Sequence, residues 1–127
     1  MSMNGKIHNL DPQHHGQALL LDETSDPAIA AMIAALVKDR DSRGWHHDLK
    51  NLAMALNVEA SEVMDIFTWK DVGEPLSDDE KAHTAEELAD VLIYTFDMCA
   101  KLGLDPLKVM QAKHRLNITR HHDVDNS

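Results

Sequence analysis

Apolar residues recur at intervals of three and four along most of this chain, and no useful stretch alternates apolar with polar. That period belongs to helices packed on one side, not to strands. The first clear element follows Ser25 or Asp26 as N-cap, with Pro27 at the first helical position. Its apolar positions are Ile29, Met32, Ile33, Leu36 and Val37, and it is expected to reach about Arg40. Asp48 can cap a second helix with the stripe Leu49, Leu52, Ala53, Leu56, Ala60, Val63, Met64 and Phe67, about 30 Å long. Gly73 and Pro75 mark Lys70 to Leu76 as a loop. Ser77 followed by Glu80 is a capping-box pattern opening a third helix. That helix carries Leu88, Val91, Leu92, Thr95, Met98, Cys99 and Leu102, is widened by Ile93 and Phe96, and stops at Gly103. Asp105 and Pro106 repeat the cap signature for a fourth helix through Leu107, Val109 and Met110 to Leu116.

Short connections between these helices predict an all-α fold, a four-helix antiparallel bundle over residues 25–120. Residues 1–24 read as an irregular arm with an apolar patch at Ala18 to Leu21, and residues 121–127 as a frayed tail. The third helix is apolar over more than one face, which suggests burial on more than one side. A chain this short then has more apolar surface than a lone bundle hides. Assembly into a homo-oligomer is the expectation, with two-fold symmetry the commonest arrangement.

Charge narrows the partners. With 22 acidic against 12 basic residues the formal charge is −10, which repels phosphate backbones and argues against nucleic-acid binding. A phosphate-bearing ligand would need bridging cations. The single cysteine, Cys99, lies in an apolar stretch, cannot form an intrachain disulfide, and reads as a small buried hydrophobe. The longest apolar run, Ala28 to Val37, is far short of a membrane span, so the expectation is a cytoplasmic protein with no membrane partner.

The acid residues are not scattered evenly. Glu59 and Glu62 lie three apart on the second helix, and Glu87 and Asp90 do the same on the third. Residues at that spacing are neighbours, where like charges cost about 0.2–0.5 kcal/mol per pair unless a cation intervenes. Both pairs flank stripes rich in Leu, Val and Ile on consecutive helices. Should they converge, four carboxylates form a hard oxygen cage suited to Mg2+, with Mn2+ as a substitute. A single such pair is commonplace on a solvated helix face; the pairing on two successive helices is what points to a metal.

These words, Glu59-Ala-Ser-Glu62 and Glu87-Leu-Ala-Asp90, with Lys50-Asn51-Leu52-Ala53 upstream and Val91-Leu92-Ile93-Tyr94 downstream, resemble the MazG-like, all-helical nucleoside triphosphate pyrophosphohydrolases. Trp45, Trp69 and the context of Tyr94 make the likeness one to the small single-domain members that include the dCTP pyrophosphatases. It covers roughly Arg43 to Arg120. The resemblance implies that residues 25–120 are a catalytic domain hydrolysing a nucleoside triphosphate between its α and β phosphates, with dCTP the leading substrate. It implies Glu59, Glu62, Glu87 and Asp90 as magnesium ligands and catalytic groups. It also implies a tetramer, a dimer of dimers with nucleotide pockets between chains. Lys113, Asn117 and Arg120 match the family's phosphate-binding group, and Lys50 is a further candidate. Trp45 and Trp69 are candidates for stacking on the base, Tyr94 for the sugar pocket, and His47 for a pocket histidine. Glu86 reads as solvated. His121 and His122 stand where the family usually has an aromatic residue and a proline.

Other chemistries fit less well. The histidine pairs His14 with His15, His46 with His47 and His121 with His122 are adjacent in sequence, unlike the spaced ligands of a zinc site. A di-iron bundle needs two Glu-x-x-His motifs, and only Glu80 with His83 stands near the acidic helices. A phosphoribosyl-ATP pyrophosphohydrolase and a non-enzymatic helical adaptor are the remaining alternatives, separable by a substrate panel.

Overall fold

The computed structural model of the chain describes residues 26–43 and 48–125. Four helices occupy most of them: α1, Pro27–Ser42; α2, Leu49–Phe67; α3, Asp78–Leu102; and α4, Pro106–Asp125. No strand occurs among the described residues.

Local side-chain chemistry starts each helix. Asp26 Oδ1 accepts the Ala28 amide at 2.8 Å, Asp48 Oδ1 accepts that of Asn51 at 2.7 Å, and Asp105 Oδ1 accepts that of Lys108 at 3.1 Å. At α3 the box is reciprocal: the Glu80 amide donates to Ser77 Oγ at 3.1 Å, and the Ser77 amide donates to Glu80 Oε1 at 2.9 Å. Each such cap satisfies an amide that the helix itself leaves unpaired, and is worth about 1 kcal/mol. Gly103 ends α3 with φ +69°, a left-handed conformation in which a side chain would be strained.

Two boundaries differ from the sequence reading. The first helix ends at Ser42, just past Arg40. The fourth runs past Leu116 and His121 to Asp125. No glycine or proline follows Pro106, so loss of the apolar pattern leaves nothing that stops the backbone.

By packing, the chain divides into two units. Among the described residues, one is Ile33–Leu102; the other joins those from 26 to 32 with those from 103 to 125. In the first unit α2 and α3 form a packed hairpin. Glu59 of α2 lies beside Glu87 and Asp90 of α3, whereas the later Asp65 and Ile66 share a cavity with the earlier Glu80 and His83, so the two helices run antiparallel. On each helix a run of shielded positions follows alternating steps of four and three. On α2 Leu52, Leu56, Glu59, Val63 and Ile66 are shielded in this spacing, with Ala55 and Glu62 shielded beside them; on α3 Glu80, Thr84, Glu87, Val91, Tyr94 and Met98 are, with Asp90 and every residue from Thr95 to Ala100 shielded too. This is the seam of a coiled-coil-like pair. Leu52 is fully buried at one end of it. The Thr84 hydroxyl is satisfied by the Glu80 carbonyl at 2.7 Å. The C-terminal part of α1 joins the same unit through Arg40, whose Nη1 donates to Asp97 Oδ1 at 3.3 Å with both side chains mostly buried. Cys99 is buried, as expected of a small hydrophobe.

Burial is narrower than the stripes predict. Met64 is 60% exposed, Leu92 57% and Leu88 47%, and Ala53 and Ala60 are also exposed. A single helical neighbour covers a seam, and a wider stripe needs a further surface against it. The arm at 1–24 with its Ala18 to Leu21 patch lies outside the described residues. No helix among those described is long and apolar enough to cross a membrane.

Candidate functional site

The α2–α3 seam carries acid where a packed pair normally carries Leu or Ile. Glu59 stands between Leu56 and Val63, and Glu87 between Thr84 and Val91. Glu59 was expected on a flank of the stripe; the four-three spacing places it in the seam itself. Asp90 follows Glu87 by three residues on α3. One carboxylate oxygen from each of Glu59, Glu87 and Asp90 lies within 4.8 Å of the others, close enough for all three to ligate a single ion. Glu59 Oε2 and Glu87 Oε2 are buried and have no hydrogen-bond partner. Buried carboxylate oxygens normally find a donor, and leaving one without costs about 1–3 kcal/mol or more.

The electrostatics carry the mark of that crowding. Glu59 is pushed up from 4.5 to about 7, first by removal from water, then by the charge of Glu62, the close approach of the Glu87 carboxyl, and the charge of Asp90. Glu62 stays outside the close group of three, and its side chain instead lines a cavity of about 360 Å³ with Asp65, Ile66, Glu80, His83 and Glu87. Asp65 and His83 were not selected as site residues from sequence. Nothing local distinguishes Asp65 from a solvated residue, and the antiparallel pairing of α2 with α3 brings it to the same wall as His83, whose spacing of four from Glu87 is the signal that could have found it. His83 Nε2 lies 3.2 Å from Glu87 Oε1, one helical turn ahead of it.

The other expected residues fall in different places. Tyr94 is half-buried in the α3 seam, one turn beyond Asp90. Lys50 is exposed in the first turn of α2, and Glu86 is exposed beside Glu87. Trp69 lies just past the end of α2 with 94% of its surface open to solvent. Lys113, Asn117 and Arg120 share one face of α4 by their spacing of four and three, Asn117 half-buried and the two cations exposed. Trp45, His46 and His47 lie outside the described residues. Glu80 is drawn into the capping box and ion-paired with Lys70, so the Glu80–His83 motif considered for iron serves local structure at its first member.

The donor set fits a hard divalent cation. Three carboxylates converge, two of them with a buried oxygen lacking any partner, and no imidazole or thiol belongs to the group.

Comparison with known proteins agrees with this architecture. The model of the MazG-like family matches residues 54–127. The dCTP pyrophosphatase 1 of Homo sapiens is 37% identical over 98 residues, 73% of this chain and 56% of that protein. The dCTP pyrophosphatase 1 of Rattus norvegicus is 32% identical over 97 residues, with the same shares covered. The chain thus spans little more than half the length of these curated relatives. A pyrophosphatase from Archaeoglobus fulgidus, known from a crystal structure, matches at a TM-score of 0.63 and 30% identity over 78% of this chain and 96% of that one. Its sequence being matched over more than half its length, the chain belongs to the MazG-like family.

Proposed function

We propose that this protein is a divalent-cation-dependent nucleoside triphosphate pyrophosphohydrolase, releasing a nucleoside monophosphate and pyrophosphate, with dCTP as the preferred substrate. The observation that carries the reading is the pair of buried, unpartnered carboxylate oxygens in the α2–α3 seam, next to Asp90. An apolar residue at either seam position would pack better, so the acids there serve something other than folding. The names of the relatives, dCTP pyrophosphatase and pyrophosphatase, support the substrate and the bond cleaved.

In this reading Glu59, Glu87 and Asp90 hold the cation, Mg2+ with Mn2+ as a substitute. When bound, such an ion supplies Lewis acidity toward phosphate oxygens and toward water. Glu62, three residues from Glu59 and on the cavity wall beside Glu87, is the fourth carboxylate of the site. Lys113, Asn117 and Arg120, with Lys50, supply the positive charge and hydrogen bonds for the phosphates. Trp69 or Trp45 stacks on the base, an interaction worth about 1–3 kcal/mol, with Tyr94 at the sugar and His47 at the pocket edge. Trp69 is almost wholly exposed in one chain, and Leu88, Leu92 and Met64 beside the seam are open too, which supports a homo-oligomer that completes the pocket. A tetramer built as a dimer of dimers is the proposed form.

The test is a product assay over ribo- and deoxynucleoside triphosphates with magnesium. Pyrophosphate is the expected product, with dCTP turned over fastest. Orthophosphate and a nucleoside diphosphate as primary products would overturn the reaction, and equal turnover of every base would overturn the selectivity. Light scattering of the active protein should give a mass well above the 14.2 kDa of one chain.

A further inference from the structure

Glu87 has three rotatable side-chain bonds and lies within ligating distance of Glu59 and Asp90, two acids that repel it when all three are ionised. In that state its carboxylate gains by swinging away from the cluster, so something has to hold it. The hydrogen-bonding contact it has is His83, whose ring nitrogen approaches Oε1 at 3.2 Å while Oε2 stays buried and unpartnered. An ionised carboxylate only accepts hydrogen bonds, so Nε2 carries the proton and donates. The exposures of the two partners differ: 57% of the His83 side chain is open at the cavity wall, against 14% of Glu87. The imidazole is thus reached from solvent while the carboxylate it grips is turned inward. Glu62, Asp65 and Glu80 share that wall, and among the residues lining it His83 alone offers a hydrogen-bond donor to a carboxylate at neutral pH.

We propose that His83 is a positioning residue for the cation site: by holding Oε1 of Glu87 it fixes the last side-chain torsion and keeps Oε2 presented to Glu59 and Asp90. This rests on the reading of those three acids as cation ligands. Carboxylates that bind metals are themselves held by hydrogen bonds from neighbouring groups, and loss of such a partner typically weakens metal binding 10- to 100-fold. An ordinary surface pair one helical turn apart would leave cation affinity unmoved.

The experiment titrates the full chain with Mn2+ by calorimetry, without nucleotide and at one fixed, mildly alkaline pH, for the parent, H83A, H83Q and E59Q. Leaving nucleotide out removes any contribution from His83 contacting substrate. The parent should bind Mn2+ and E59Q should not. H83A should bind about tenfold more weakly with an unchanged thermal melt. H83Q, whose amide nitrogen falls where Nε2 was, should recover most of the loss. Should H83A melt early, H83N, whose shorter amide does not reach Glu87, takes its place. Parent-like affinity in H83A overturns the positioning role and leaves the cation site standing. Equal weakening in H83A and H83Q also overturns it, because the imidazole itself would then be a ligand. Failure of the parent to bind Mn2+ overturns the site and the inference together.

Discussion

Glu59 and Glu80 are two glutamates in the seam of the same helical hairpin, and their surroundings push them in opposite directions. Glu80 is held down to about 2, chiefly by the ammonium of Lys70 at 2.8 Å and then by the amide of Ser77. Lys70 also reaches Glu74 at 3.0 Å, so Lys70, Glu74, Ser77 and Glu80 form one set of partners across the α2–α3 turn. Glu59 is raised to about 7, beside three further acids and with one oxygen reaching no donor. The hairpin is satisfied at its turn and frustrated at its middle. A carboxylate that has every partner it needs explains itself through folding; one that lacks them calls for a ligand absent from the chain.

The sharpest way to break the contrast is to remove the frustrated acid. Glu59→Gln should lower turnover by at least about 100-fold and abolish measurable Mg2+ binding, because a ligand loss exceeds that of a supporting group. Its thermal melt without metal should be no lower than that of the parent, since repulsion with Glu62 and Asp90 is relieved. A variant that melts early yet still binds Mg2+ would make Glu59 structural.

Acidity offers a milder test of the same contrast. Glu59 keeps its proton in the folded chain up to about 7, whereas the unfolded chain gives it up near 4.5. Between those values the folded state binds more protons, so the contribution of Glu59 to stability without metal declines as pH rises through the window. Below about 7 the same proton competes with the cation, and affinity for Mg2+ should fall by up to about tenfold per pH unit. Glu80 behaves in the opposite sense: its contribution is complete above 4.5 and is lost as pH falls toward about 2. Urea unfolding of parent and Glu59→Gln with a chelator, across pH 4.5 to 7, should show the parent's steeper decline, and matching slopes would refute it.

The smallest effect belongs to the satisfied end. Ser77→Ala removes the acceptor for the Glu80 amide and should cost about 1 kcal/mol by chemical denaturation. Mg2+ affinity should stay at the parental value, and a parallel loss would mean that the turn and the acid cluster are not separable.

What the sequence disclosed follows the range of the interactions. Asp26, Asp48, Ser77 with Glu80, and Asp105 act on amides two or three residues away, so four helix starts were legible. The acid pairs were legible too, because residues three apart on a helix are neighbours whatever else it touches. The seam position of Glu59 was present in the spacing Leu52, Leu56, Glu59, Val63, Ile66, but an ionisable residue reads as an interruption of an apolar stripe. The end of α4 was misjudged because apolar periodicity reports packing, while a helix stops only at a residue that breaks it. Asp65 was beyond reach, because its place on the cavity wall with Glu80 and His83 comes from α3 folding back along α2; His83, four residues before Glu87 on the same helix, was legible from its spacing but was read only as part of the Glu80–His83 motif. The width of a stripe likewise shows how much surface wants covering, and is silent on what covers it.

The burial of Cys99 gives the chain a built-in chemical clock. It is the one thiol in 127 residues, and only 8% of its surface is open. Alkylation needs reagent at the sulfur, so its rate counts the openings of α3 and not the exposure of a resting side chain. The helix that hides the sulfur also carries Glu87 and Asp90. One covalent reaction therefore times how often the helix bearing Glu87 and Asp90 comes loose, with no label or tag added to the protein.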